Sequence, residues 1–595
     1  MAIGRSGALR LRPAHDAGLR SACLRFGHCA TPVNWRNGAL GPIITPMNSD
    51  ASFRQGQMKR TQATLPLFPN EPMPDDVALT PAEPLQEQRA GNGATLGFEE
   101  KLWAAADTLR GHIDAAEYKH VVLGLVFLKY LNDVFEARAN SLRKAGLDSG
   151  NREIYTAENI VWLSPKTRWS QIAEAVDTPE IGPAIDHAMA EIERDNESLR
   201  NALPRIYGRS ALGSRQLSEL VRLIGALGLG GAQQGGQDVL GRIYEFFLGR
   251  FAGLEGKGGE FYTPRSVVKL LVEMVEPFHG KVYDPCCGSG GMFVQSEKFV
   301  KAHGGRGDDI LVYGQESNPT TWRLCKMNLA MRGIRGDIGP RHADTFRDDL
   351  HKDLKADYII ANPPFNMSDW GGPELTRDPR WRYGVPPSGN ANFAWVQHKI
   401  HHLSSTGIAG FVLSNGSLSR SQDRAEGAIR KALVDADLLD CIVALPSNLF
   451  YTTQIAACLW FIAKDKTDPR FRDRRGETLF IYAYNFGRMV DRIHRELTDD
   501  EVARIATAYH DWRSKDHTGE YRDAPGFCRS TTLAEIREHR YSLVPGRYVG
   551  FDTTEVDRWD TTHLRAELAE IEGRLAQVDR ASRSVLNVLQ ELLHG

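Results

Sequence analysis

Cysteine is scarce in this chain. Eight occur in 595 residues, with no CxxC pair among them. Cys23, Cys29, Cys286, Cys287, Cys325, Cys441, Cys458 and Cys528 therefore signal neither a disulfide scaffold nor a zinc cluster, and they fit a reducing compartment. Long apolar runs are absent too. None reaches the roughly 18 to 20 residues that a bilayer-crossing helix needs, which excludes an integral membrane protein of that kind. No Gly-x-x-x-x-Gly-Lys-Ser/Thr occurs, so a P-loop motor is excluded. Neither charge sign dominates: 73 Lys and Arg face 75 Asp and Glu, for a net charge of −2. A chain that gripped a long polyanion unaided would carry a basic excess, so any such contact is local or shared with a partner. What is present is length. At roughly 150 residues per domain it implies about three or four domains with sizeable cores.

Residues 1–95 do not read as a folded domain. The first sixty are rich in Arg, Gly and Ala, with Asp16 and Asp50 the only acids, and 61–95 are rich in Pro and Gln. Such a segment cannot bury enough apolar surface to offset its ordering entropy, and it has no apolar core of a secretory signal. It is expected to be a disordered extension, with Met47 or Met58 as the true start. From Phe98 the period becomes helical (Leu102, Ala106, Leu109, Ile113, then Val121, Val122, Leu125, Leu128, Leu131), with further helical stretches at 181–203, 211–228 and 238–252. An all-α domain is expected over 97–252. After the glycine-rich 253–259, short apolar strands at 282–283, 310–313, 358–360, 410–413, 438–444 and 457–462 alternate with helices. That pattern predicts an α/β domain with a mostly parallel sheet over 258–470. A C-terminal extension follows over 471–560. In the final segment, 561–595, Leu564, Leu568, Ile571, Leu575, Val578, Ser582, Val585, Leu589 and Leu592 alternate at spacings of four and three. This is a heptad seam, either packed on its own chain or docked on a partner helix.

The strongest local pattern is Asp284-Pro285-Cys286-Cys287-Gly288-Ser289-Gly290-Gly291-Met292, between a strand and a helix. Strand, glycine turn and helix is the geometry in which backbone closely approaches a nucleotide-like ligand. It is not the dinucleotide Gly-x-Gly-x-x-Gly. An acid at the strand end suits a cationic ligand part, such as the amino and sulfonium groups of S-adenosylmethionine. The next strand ends in Glu316, where ribose hydroxyls are held in nucleotide-binding sheets; Asp344 is placed to reach an adenine amino group. A later strand ends in Asn362-Pro363-Pro364-Phe365. The lone pair of an exocyclic amine such as adenine N6 is delocalised and poorly nucleophilic. An Asn carbonyl and the first Pro carbonyl that accept hydrogen bonds from that amine favour a tetrahedral nitrogen, which is stabilisation concentrated in the transition state. Phe365 offers a face on which a flipped base stacks. Trp370, Trp381 and Tyr383, interleaved with Arg377, Arg380 and Arg382, suit phosphate contact and support of an extruded base, or else form a polar lid. Covalent catalysis by Cys286 is not expected, because this cysteine lies inside the glycine turn.

Taken together, these motifs resemble the modification (HsdM) subunit of bacterial type I restriction–modification systems, an adenine-N6 DNA methyltransferase. The resemblance covers about 97–595. Glu260, Phe261, Tyr262, Thr263, Pro264 and Arg265 resemble the family's cofactor segment before the sheet. Asp284, Cys286, Cys287, Gly288 and Gly290 match its glycine turn, with Glu316 and Asp344 as further cofactor positions, and Asn362, Pro363, Pro364 and Phe365 match its catalytic motif. The implied fold is multidomain: an α-helical N-terminal domain, an α/β Rossmann-like S-adenosylmethionine-dependent methyltransferase domain and a C-terminal helix. Implied partners are double-stranded DNA, a specificity (HsdS) subunit, a restriction motor–nuclease (HsdR) subunit and a second copy of the chain, in the cytoplasm, with no metal and no membrane. A stand-alone DNA methyltransferase, a protein glutamine-N5 methyltransferase and a non-enzymatic cofactor-binding scaffold are the alternatives. The first lacks an evident recognition domain between 470 and 540. The terminal heptads and the large helical domain argue against the second, and the intact Asn-Pro-Pro-Phe argues against the third.

Overall fold

The computed structural model describes residues 103, 115–209, 213–226, 246–247, 263–419, 425–450, 455–515 and 520–550. They all belong to the second of two compact units, Gln88–Gly595. The expectations for 1–95 and for the 561–595 seam lie outside the described residues, as does most of 238–252. No helix among the described residues is long and apolar enough to cross a membrane.

Helix α1 (Ala115–Lys144) runs through the helical region. Its stretch 121–131 is buried on every side, which is why the apolar residues there are continuous and not striped. Gly124 allows a close crossing, since a Cβ at that position would stand 2.3 Å from the Tyr207 hydroxyl. Helices α2 (Ile181–Asp195) and α3 (Ser214–Gly225) present stripes to it. Both are shorter than the periodicity implied. The same core takes in Leu324, Met327 and Met331. These belong to a helix of the α/β region, so the bundle and the sheet region are joined through that helix.

In the α/β region, α4 (Arg265–Val275) precedes β1 (Gly280–Asp284). Then come α5 (Gly291–Ala302), β2 (Ile310–Gly314), α6 (Pro319–Arg332), β3 (Gly336–Asp337) and β4 (Ala356–Ala361). They are followed by α7 (Asn392–His402), β5 (Leu403–Ser414), α8 (Ala425–Asp435), β6 (Leu439–Ala444) and β7 (Ala457–Ala463). The sheet continues past residue 470. β8 (Glu477–Tyr482), α9 (Asp499–Arg513) and β9 (Cys528–Thr532) complete it, so the segment read as an extension lends two strands. Nine strands stand in the order β9-β8-β6-β7-β5-β4-β1-β2-β3. The sheet is mixed: β7 is antiparallel to both β5 and β6, and β9 is antiparallel to β8. Helices α4, α5, α6 and α9 cover one face, and α7 and α8 cover the other. Burial on both faces explains the unbroken apolar run of β7, Ala457-Cys458-Leu459-Trp460-Phe461-Ile462-Ala463. Buried Arg474 donates to Asp440 at 3.1 Å, and the Tyr509 hydroxyl donates to the same carboxylate at 2.6 Å, stitching α9 and the start of β8 to β6.

Candidate active site

β4 and β2 both run parallel to β1. The carboxyl ends of β1, β2 and β4 therefore meet at one edge, where the strand order reverses direction and ligands of such sheets bind. β1 ends at Asp284, which is buried and accepts from the Cys286 amide at 3.0 Å. Burial pushes the Asp284 carboxyl up to about 7, against the Cys286 amide and the Lys399 ammonium, which favour the charged form. The turn needs its glycines: Gly288 and Gly290 have φ of 53° and 83°, and a Cβ on Gly290 would stand 3.0 Å from the Cys325 sulfur. No atom stands within 4 Å of where a Gly288 Cβ would be, so ligand atoms can come close to the backbone there. Glu316, at the end of β2, accepts from the Gly288 amide at 3.0 Å and, with its other oxygen, from the Asn318 amide at 2.8 Å. It thereby links the two strand ends. Asp344 accepts from the Phe346 and Arg347 amides at 2.8 and 3.1 Å. Burial, with help from Asp284, pushes the Cys286 thiol up, which leaves it protonated and unsuited to nucleophilic attack. Cys287 lies with its sulfur 3.8 Å from that of Cys325.

Asn362 follows β4 directly. Its Nδ2 donates to Thr263 Oγ1 at 2.9 Å, while its Oδ1 is buried with no hydrogen-bond partner among the described residues. An orphaned buried carbonyl is costly, and at the end of a central strand it marks a place where a donor is to be received. Phe365 packs edge-to-face on Phe450, with ring centroids 5.6 Å apart. Behind the motif, Asn366 adopts φ 54°. Its side-chain oxygen accepts from Asn390 at 3.2 Å, Asn392 at 3.0 Å and Ser414 at 3.3 Å, and its amide donates to Asn392 at 3.0 Å. This network pins the loop after Asn-Pro-Pro-Phe to the start of α7 and the end of β5. Sequence reading missed it; the polar run Gly389-Asn390-Ala391-Asn392 at a helix start was the available signal.

Of the cofactor segment, Glu260, Phe261 and Tyr262 lie outside the described residues. Thr263 is brought to Asn362, Pro264 caps α4, and Arg265 is exposed on its first turn. The aromatic–arginine loop departs from expectation. Trp370 and Trp381 are buried with Phe346 and Trp395 in a core of their own. Arg380 is also interior, donating to Asp378, to the Thr345 and Phe346 carbonyls and to His398 Nδ1. These three hold the loop together and are not exposed to DNA; Arg377 and Arg382 are exposed. The periodicity of the loop could not reveal this closure.

Asp349, His398 and His402 place ligand-type atoms within 4.8 Å of one another. They do not suit a metal ion. His402 Nε2 is 3.0 Å from Asp349, His398 Nε2 is 3.1 Å from the Tyr283 hydroxyl, and the Arg380 guanidinium lies 3.1 Å from His398 Nδ1, where a second cation would be repelled. Lys399 was also missed. Its ammonium is buried without a hydrogen-bond partner among the described residues, 5.2 Å from the Trp395 ring centre and 4.8 Å from that of Phe411. Burial draws it down to about 8, while Cys286 and Asp284 oppose that shift.

Comparison with known proteins gives the family of the chain. The N-6 DNA Methylase family model matches residues 235–557, and the HsdM N-terminal domain model matches 98–226. The type I restriction enzyme HindI methylase subunit of Haemophilus influenzae is 47% identical over 385 residues, 63% of this chain and 84% of that protein. The MjaIX methylase subunit of Methanocaldococcus jannaschii is 37% identical over 521 residues, 83% of this chain and 91% of the relative. Among solved structures, the type I restriction–modification methyltransferase subunit of Streptococcus thermophilus superposes with a TM-score of 0.64 at 25% identity, covering 76% of this chain and 99% of that one. With an Asn-Pro-Pro-Phe motif at the end of a central strand, a glycine turn beside it and these relatives, the chain belongs to the N-6 DNA methylase family, as an adenine-specific DNA methyltransferase of the type I restriction–modification methylase subunits.

Proposed function

We propose that the chain transfers a methyl group from S-adenosylmethionine to N6 of an adenine extruded from double-stranded DNA, at a site chosen by a specificity (HsdS) subunit. The observation that carries this reading is Asn362: its amide nitrogen is committed to Thr263, and its carbonyl is buried and unanswered. That leaves an acceptor oriented for an incoming amino group. The residues present also fit the methyl donor. Asp284 offers a buried carboxylate to its amino group. Glu316, held at the end of β2 by the Gly288 and Asn318 amides, stands where ribose hydroxyls are held in nucleotide-binding sheets. Gly288 gives room for close approach, and Asp344 and the 260–265 segment complete the set. When bound, S-adenosylmethionine supplies a methyl group on a positively charged sulfur. Asn362 Oδ1 and the Pro363 carbonyl accept hydrogen bonds from the two N6 hydrogens, which favours a tetrahedral nitrogen whose lone pair attacks the methyl carbon as its bond to sulfur breaks; they steady the positive charge on N6 until its surplus proton leaves to water. Phe365 supports the extruded ring.

The near-zero net charge and the 561–595 seam support partnership with the specificity subunit, a second copy of the chain and, for cleavage, the motor–nuclease (HsdR) subunit. The test is reconstitution. Asn362→Ala in the complex should bind S-adenosylmethionine normally yet lose roughly 3 kcal/mol of transition-state stabilisation, more than a hundredfold in rate. The isolated chain should bind its DNA site weakly until the specificity subunit is added. Deleting 561–595 should abolish co-purification with that subunit while sparing cofactor binding. Turnover near normal in Asn362→Ala would overturn the catalytic assignment.

A further inference from the structure

A short two-stranded ribbon leaves the sheet after β8, and nothing among the described residues covers its surface. Arg488–Met489 pairs antiparallel with Arg495–Glu496. The root of the ribbon is fixed: the Gly487 amide donates to Glu501 at 2.7 Å, the Arg495 amide to the Asn448 carbonyl at 2.8 Å, and the Arg495 guanidinium to the Phe486 carbonyl at 2.9 Å. So is its tip, where Asp491 accepts from the Ile493 and His494 amides at 2.8 and 2.7 Å. Yet Met489, Val490 and Ile493 are 44%, 53% and 52% exposed. Arg488 and Arg492 stand exposed beside them, and among the described residues neither has a carboxylate partner. Single exposed apolar residues need no explanation, but three within five positions on a stiff projection mark an interaction surface.

Its place in the fold says what meets it. β8 is parallel to β6, and β6 shares its direction with β5 and β4 through the antiparallel β7 between them. The ribbon therefore leaves from the same edge as Asn362. Four strand spacings separate β8 from β4, roughly 19 Å. The loop between is bridged: Asn448 holds the ribbon, and Phe450, two residues on, packs on Phe365.

We infer that this ribbon enters a groove of the DNA duplex beside the target adenine, with Arg488 and Arg492 on phosphates and the Met489–Val490–Ile493 tip against base steps. A two-stranded ribbon fits the major groove, and inserted Met or Ile side chains unstack base steps in proteins that deform DNA. Extruding a base costs stacking and pairing, and a wedge beside the target lowers that cost. The inference rests on the reading of the chain as a methyltransferase that extrudes its adenine.

The test uses the complex with the specificity subunit and a duplex carrying 2-aminopurine at the target position. Arg488→Gln with Arg492→Gln should lower the slope of log affinity against log salt by about 1.8, at about 0.9 per phosphate contact. Met489→Ser with Ile493→Ser should cut the 2-aminopurine signal on that duplex, and methylation of the matching duplex with adenine at the target, at least tenfold. Assembly, S-adenosylmethionine affinity and the unfolding midpoint should stay as in the parent. Unchanged duplex binding and base extrusion would overturn the inference. So would loss of co-purification, which makes the ribbon a protein interface, or a lowered midpoint, which makes these side chains part of the fold. Asn362→Ala assayed alongside separates the two ideas: if it turns over normally, the catalytic reading fails whatever the ribbon does.

Discussion

The bond between Thr263 and Asn362 allows the catalytic assignment to be tested by coupling as well as by loss. Thr263→Val keeps the shape of the side chain and removes the acceptor of Asn362 Nδ2, which lies 2.9 Å away. The carboxamide then loses the contact that keeps its oxygen turned toward the site. A hydrogen bond of this kind contributes about 1 kcal/mol net, and at about 1.4 kcal/mol per decade that is roughly fivefold in methyl transfer. Asn362→Ala alone should cost about 3 kcal/mol. In the Asn362→Ala background, Thr263→Val should cost nothing more, because Thr263 acts on the chemistry only through Asn362; the coupling energy is then about 1 kcal/mol. The assay is single-turnover transfer of a labelled methyl group in the reconstituted complex, with S-adenosylmethionine affinity measured by calorimetry. An equal fivefold loss in both backgrounds would show that Thr263 serves the cofactor or the fold and not Asn362, and the reasoning would be refuted.

Glu316→Ala should weaken S-adenosylmethionine binding more than Glu316→Gln, because Gln keeps an acceptor for the Gly288 amide; parental affinity in Glu316→Ala, measured by calorimetry, would remove Glu316 from the site. Asp284 gives a pH dependence. Its folded carboxyl titrates near 7 against an ordinary 3.8, so the folded state holds a proton that the unfolded chain releases, and stability without cofactor should fall as pH rises from near 4 to about 7 and level off above. Binding of a cationic ligand needs the ionised form. Affinity should therefore climb up to tenfold per pH unit until about 7, and Asp284→Asn should flatten that dependence; a flat profile in the parent would contradict the role. Lys399→Met removes a buried ammonium that has no hydrogen-bond partner and should stabilise the protein by about 1–3 kcal/mol, read as a higher urea midpoint. A lower midpoint would mean that Lys399 is needed where it stands.

The legible parts were those whose signal is contiguous. Strands β1, β2, β4, β6 and β7 showed as short apolar runs, and each of the two motifs occupies fewer than ten successive residues at a strand end. β8 is hard to read although Glu477-Thr478-Leu479-Phe480-Ile481-Tyr482 has strand character, because the long polar stretch 464–476 separates it from the run of apolar strands. The orientation of β7 could not be read, since a run buried on both faces looks the same whichever way it points.

The sequence by itself determined the chemistry. The order of glycine turn, acid, acid and Asn-Pro-Pro-Phe along alternating strands and helices is what resembles the adenine-N6 methyltransferases and, through that resemblance, implies their cofactor class. Tertiary structure decided which of these side chains come together and which close the loop around them. Thr263 and Asn362 lie 99 residues apart and meet only because α4 packs against the strand that carries the motif. Asn366, Asn390 and Asn392 form a clamp only once the loop between them closes. Trp370, Trp381 and Arg380 suit either a DNA surface or a polar lid in the sequence, but packing on Phe346 and α7 takes them out of water. Periodicity along a chain reports which face of an element is apolar; which distant residue fills that face, and whether a polar group there is answered or left open, depends on contacts that only the folded chain makes.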